Sequence, residues 1–263
     1  MTARPDGREI SSTPGEPRIM RSVVDPLLDQ ARAAGLVLRL CGGLACWERA
    51  RHGKRLAIDA GRTYSDMDFA ACYPQRREII NLFQRHGFRE DAASATVPGL
   101  RRTILDSNAD GVRGDIFYDV LSFCHSLDLR GRLELHDRTI ALADLMLQKM
   151  QILGLTEKDA IDVQMLLLDH DLGPDDHVGI SKARIAQVCG SDWGFFRTFS
   201  LNIERIEAIT ASSPYLNVAQ RERIASQLAR LRQCVGEMPK SLGWRLRSLI
   251  GDRLRWYETV DEH

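Results

Sequence analysis

Apolar residues first settle into a period near Val23. Val23, Val24, Leu27, Leu28, Ala31 and Ala34 recur at helical spacing, and Gly35 supplies a stop. The run at 36–40 (LVLRL) then reads as a strand leading into Cys41-Gly42-Gly43, with a second helix starting at Leu44. The basic stretch 51–63 reads as a loop. A second strand is predicted over 64–71 (YSDMDFAA), followed by a helix over 74–86 that Gly87 closes. Two further strands, 101–106 and 115–121, flank a polar turn with two glycines and an asparagine, the composition of a hairpin with a longer loop. Residues 132–135 suggest a short edge strand.

Beyond Asp137 the period is helical throughout. Helices are expected over 140–153 and 156–168, the second opened by Thr156 and Asp159 in capping positions. Residues 171–178 read as a linker. Four more helices are expected, around 181–189, 192–210, 217–235 and 240–258, with no convincing strand among them. The predicted fold is α+β: a mixed sheet flanked by helices over 19–173, followed by a helical domain over 174–263. Residues 1–18 are rich in Pro, Gly, Ser, Thr and charge and form an expected flexible tail.

Composition narrows the function. The 263 residues carry 36 basic and 36 acidic side chains, with 44% hydrophobic and 27% charged residues. Such a balanced chain is no basic architectural nucleic-acid binder. It has no apolar run long enough for a spanning helix and no apolar leader, so a cytoplasmic protein with no membrane partner is expected. The six cysteines form no Cys-x-x-Cys and read as reduced, mostly buried thiols. Adjacent Cys124 and His125 point apart on an extended segment, so packing suits them better than nucleophilic catalysis.

The chemistry concentrates in the 64–71 strand. Alternation places Asp66 and Asp68 on one face, with Met67 and Phe69 on the other. Two carboxylates so close repel each other unless a cation lies between them, and oxygen-only ligands favour Mg2+ or Mn2+. Asp115 opens another strand. If that strand lies beside the first, Asp115 completes a three-carboxylate cluster able to hold two such ions and promote phosphoryl transfer. Asp119 falls further along the same expected face. Gly42-Gly43, between strand and helix, lets a phosphate approach the backbone near free helix N–H groups, although the motif is neither a Walker loop nor Gly-x-Gly-x-x-Gly. Each piece also has a plain alternative, a surface Asp-x-Asp or a bare turn. Arg62 stands where it could neutralise a triphosphate or simply be solvated. Lys149 interrupts an apolar helix face, and its stem could equally cover a core edge. Asp162 reads as a helix-surface residue.

Taken together, Gly42-Gly43, Asp66 with Asp68, and Asp115 resemble the nucleotidyltransferase superfamily built on the polymerase-beta-like core, in particular its bacterial abortive-infection-type toxin branch. The resemblance covers about residues 35–170. Arg62 to Phe69 is loosely similar to the Arg-x-x-Ser-x-x-Asp surroundings of that family, which adds Arg62 and Ser65 as nucleotide-binding candidates. The family's phosphate-contacting lysine would be Lys149, and its Lys-Asp pair at the next helix would be Lys158 and Asp159. Gly43 and Asp66 lie further apart than in the smallest members, so 51–63 would be an insertion or an ordered basic loop. The implied activity is Mg2+- or Mn2+-dependent transfer of a nucleoside monophosphate from an NTP to a hydroxyl of RNA (tRNA included), protein or a small molecule, with pyrophosphate released. A toxin–antitoxin setting is also implied. The alternative is an inactive binding or regulatory module that keeps the fold. Neither acceptor nor oligomeric state follows from the residues. The basic, amphipathic segment after Arg221 suggests an RNA-facing surface, with Trp244 read as core.

Overall fold

The computed structural model describes residues 17–91, 101–107 and 112–259. Most of the expected tail, and the middle of the turn before Asp115, lie outside them. One π turn (Met20–Val24) leads into α1 (Asp25–Ala33), whose Leu27, Leu28 and Ala31 are buried. There follow β1 (Leu38–Cys41), α2 (Gly42–Arg49), α3 (Lys54–Asp59), β2 (Asp66–Ala71), α4 (Arg76–Arg85), β3 (Phe88–Glu90), β4 (Arg102–Ser107) and β5 (Arg113–Tyr118).

These five strands form one mixed sheet in the order β1-β2-β5-β4-β3. The central pair β2–β5 is parallel and sets Asp68 opposite Asp115. β1 runs antiparallel to β2 and sets Cys41 opposite Asp68. β4 pairs antiparallel with β5, so the expected hairpin is present, and β3 adds an edge strand that the sequence did not signal. Alternation along β2 follows the prediction: Met67 and Phe69 are fully buried, while Asp66 is exposed and Asp68 half-buried. Burial of a Phe69-sized side chain contributes about 1.5–3 kcal/mol, enough to fix the register that turns both aspartates outward.

Several expectations need correction. Residues 51–63 are not all loop: α3 packs Leu56 and Ala57 into the core, and Asp169 accepts hydrogen bonds from the N–H groups of Arg51, His52 and Gly53 that lead into it. Residues 132–135 form turns rather than a strand. The strand at 115–121 stops at Tyr118, because Asp119 takes a left-handed φ of 61° and spends its carboxylate on the Tyr73 N–H and on Arg101. Beyond it, β6 (Val120–Ser122) pairs with β7 (Ser126–Asp128).

The helical part contains α5 (Leu142–Met150), α6 (Glu157–Asp169), α7 (Lys182–Ser191), α8 (Trp193–Ser212), α9 (Val218–Glu237) and α10 (Leu242–Ile250). The linker region carries a two-residue parallel pair, β8 (Leu172–Gly173) with β9 (Ile180–Ser181). α6 opens with the expected capping box of Thr156 and Asp159. α10 ends at Gly251, whose φ of 59° suits glycine, well short of residue 258. A single apolar core runs from Leu27 through the sheet and α5 to Val235 on α9. Within it, Arg132 and Arg184 both bind the buried carboxylate of Asp144. All six cysteines are free thiols, four of them buried. Among the described residues no helix is long and apolar enough to cross a membrane.

Candidate active site

A cleft of about 200 Å³ opens where the start of β2 meets the start of α2 and the α5–α6 corner. Gly43, Arg62, Ser65, Asp66, Asp68, Lys149 and Asp159 all line it, together with Lys158 and Thr156. Gly42 and Asp115 stand immediately behind. The structure therefore gathers these candidate residues into one neighbourhood, although they are spread over three helices, two strands and the 62–65 loop.

The two glycines are required by close approach. They belong to the first turn of α2 rather than to a loop before it. Gly42 has a φ of 67°, and a Cβ there would lie 2.1 Å from Oδ2 of Asp68. A Cβ on Gly43 would lie 2.6 Å from Nη2 of Arg62 and 3.1 Å from Oδ2 of Asp162. The pair thus lets an acid approach the helix N-terminus on one side and an arginine on the other. The Gly42 N–H is already taken, donating to Oε1 of Gln148 at 2.8 Å.

The acidic side of the cleft carries uncompensated charge. Among the described residues neither Asp66 nor Asp68 has a hydrogen-bond or ion-pair partner. Paired residues on parallel strands share a face, so Asp68 and Asp115 point the same way. Burial, then the nearby Asp115 and Asp66, push the Asp68 carboxyl up to about 7, against the opposing pull of Lys149 and Arg102. Asp115 differs from the other two. The Arg102 guanidinium grips both its oxygens, Nε at 3.2 Å and Nη2 at 2.9 Å, and rests over the Phe117 ring.

The basic side is closed on itself. Nζ of Lys149 is 2.9 Å from both Asp159 and Asp162. Burial would lower its pKa, but the two carboxylates raise it well above the ordinary value. Arg62 binds Asp162 through Nε at 3.3 Å and Nη2 at 3.1 Å, and stacks on Tyr64 at 4.2 Å. Burial and the Asp162 charge together push the Tyr64 phenol far up, so it stays protonated and directs its O–H to Asp162 at 3.4 Å. Asp162 is therefore the fully buried hub of three side chains and not the surface residue its sequence position suggested. Its signal was available: it follows Asp159 by three residues, on the α6 stripe that carries buried Val163 and Leu166. Lys158 is exposed, lines the cleft and has no partner among the described residues.

Among the described residues, no group of three or more His, Cys, Asp or Glu side chains is placed to hold a metal ion. Arg102 bonds both oxygens of Asp115, so of the three expected carboxylates only Asp66 and Asp68 stand free of a partner among the described residues. The donor set that remains, two unpaired carboxylates facing a cleft, fits a single hard cation. Mg2+ is commonly held by one or two carboxylates plus substrate phosphates and water rather than by an all-protein cage. Asp66 and Asp68 are the residues that would hold it. His125 bonds Thr198 and His170 bonds the Arg49 carbonyl, both structural roles. No protein-family model matches the chain, and no curated protein matches it either.

Proposed function

We propose that the protein transfers a nucleoside monophosphate from an NTP to a hydroxyl acceptor, with Mg2+ or Mn2+ and release of pyrophosphate. The observation that carries this reading is the unpaired Asp66–Asp68 face at the mouth of a cleft whose opposite wall holds ion-paired Arg62 and Lys149 with exposed Lys158, and whose floor is a Gly-Gly helix start. Arg62 and Lys149 are neutralised by Asp159 and Asp162, so a triphosphate entering alone meets more negative than positive charge. A divalent cation bound at Asp66 and Asp68 would offset that charge and the charge that develops on the transferring phosphoryl group.

The chain's own residues then have separable tasks. Asp66 and Asp68 present oxygen ligands from one strand face. Lys158, exposed and unpaired, supplies the free positive charge for a terminal phosphate. Lys149 and Arg62 hold Asp159, Asp162 and Tyr64 in place and so shape the wall. Asp115 sets the field at Asp68, and to take a proton from an incoming hydroxyl it must first release one of its two bonds to Arg102. Positioning and fixed electrostatics account for the rate. Polynucleotide, protein and small-molecule hydroxyls all remain acceptor classes within the proposal.

Two observations favour a second reading. The Arg102–Asp115 fork and the saturated Lys149 also suit a nucleotide-binding or regulatory module that performs no transfer. The test is incubation with α-labelled nucleoside triphosphates, Mg2+ and tRNA, protein or small-molecule acceptors. Transfer that is lost in Asp66→Asn and Asp68→Asn supports catalysis. Label transferred equally by wild type and both variants contradicts it, and Mg2+-dependent binding without product selects the second reading.

A further inference from the structure

The C-terminal helix α10 is mounted with its apolar stripe outward. Leu242, Leu246 and Leu249 fall at i, i+4 and i+7 and are 78%, 67% and 78% exposed, with Ile250 and Leu254 extending the patch. The opposite side of the helix faces the body: Trp244 packs on Phe196 at 5.2 Å, and Arg247 lies over Trp193 at 4.6 Å. Both ends are anchored, so the helix cannot roll its leucines inward. Before it, the Ser241 N–H donates to the Gly190 carbonyl. After it, Trp256 Nε1 donates to Thr198 and the Glu258 N–H donates to the Cys124 carbonyl. A fixed stripe of this kind beside an open hollow of about 740 Å³, lined by Trp193, Phe196, Leu249 and Ile250, marks an interaction site.

Charge identifies the occupant. α10 has no acidic residue, and Asp252 just beyond it is consumed by Arg197 at 2.8 Å. Arg245 and Arg253 border the stripe, exposed and without side-chain partners among the described residues. We propose that this face docks an amphipathic helical segment of another protein, one with an apolar stripe flanked by carboxylates. A second copy of the chain would bring the same unpaired guanidinium groups into one desolvated patch. A bilayer has no protruding side chain for the hollow. Nucleic acid calls for exposed aromatic platforms, whereas the outward residues here are leucines and Trp244 faces inward. The expected RNA-facing surface therefore gives way to a protein-facing one at α10.

The test uses the whole chain and two labelled helical peptides, each with leucines at i, i+4, i+7 and i+11. One carries glutamates beside the leucines and its twin carries lysines. Fluorescence anisotropy is expected to show saturable binding of the glutamate peptide, at least about tenfold weaker binding of the lysine twin, and loss of binding in Leu246→Ser and Arg245→Glu. Both substitutions are at exposed positions, and circular dichroism checks that the fold is kept. Equal binding of the two peptides, binding indifferent to Leu246→Ser, or no binding of either overturns the proposal. So does Leu246-dependent doubling of the mass in light scattering, or Leu246-dependent sedimentation with phosphatidylglycerol vesicles.

Discussion

Two aspartate pairs flank the Gly42-Gly43 turn, and they are handled in opposite ways. Asp159 and Asp162 on α6 are saturated: Lys149 bridges them, and Arg62 and Tyr64 complete Asp162. Asp66 and Asp68 on β2 have no partner among the described residues, and Asp68 faces the like charge of Asp115. Asp66 is exposed, but the half-buried Asp68 carboxylate lacks a counter-charge, which is costly unless something else offsets that cost. The α6 pair is architecture, and the β2 pair is where we place a ligand.

The sharpest way to break this contrast is at the hub. Asp162→Ala leaves Lys149 and Arg62 buried with too little negative charge. It should cost about 3–5 kcal/mol, read as a lowered urea midpoint. Asp68→Asn should behave in the opposite sense. It removes like-charge repulsion, so stability should hold or rise in the absence of metal, while nucleotidyl transfer falls by about a hundredfold or more. A destabilised Asp68→Asn with intact transfer would reverse the assignment of the two pairs.

Acid titration gives a third, smaller handle. The Asp68 carboxyl titrates near 7 in the folded chain against 3.8 for the free side chain. A folded state that holds its proton longer than the unfolded state is favoured at low pH. Its contribution is full below about 4 and is lost as the pH rises towards about 7. The midpoint difference between wild type and Asp68→Asn should therefore widen, to the disadvantage of wild type, from pH 5 to pH 8. Added Mg2+ should narrow it. A pH-independent difference would contradict the environment described for Asp68. The smallest effect is expected at Thr156→Ala, which removes the α6 capping box and one support of Asp159, at about 1 kcal/mol by thermal denaturation.

How much of this could be read beforehand depends on the range of each interaction. Alternation in β2 fixed the faces of Asp66, Met67, Asp68 and Phe69, because a period of two is a local property. That β2 and β5 are parallel neighbours is not local: α4, β3 and β4 intervene, and only the assembled sheet puts Asp68 beside Asp115. Arg102 was missed for the same reason, since its grip on Asp115 crosses from β4. Asp162 looked like surface because a charged residue among apolar ones usually is, and its counter-ions come from 13 residues earlier at Lys149 and from Arg62, 100 residues away. The segment after Arg221 read as amphipathic, but the structure separates Trp244, seated on Phe196, from the exposed Leu246 and Leu249. Periodicity could not say which way the leucine face points, which Trp193 and Phe196 decide by seating the opposite side. Helix α3 is six residues long, too short for a periodic signal.

The central claim is that the unpaired β2 carboxylates bind a cation together with a nucleotide's phosphates. Calorimetric titration of ATP, GTP, CTP and UTP into the wild-type chain, with Mg2+ and with EDTA, tests it most directly. The account predicts binding of at least one nucleotide that requires Mg2+ and disappears in Asp68→Asn. Equal affinity in EDTA, or undiminished binding by Asp68→Asn, would contradict it.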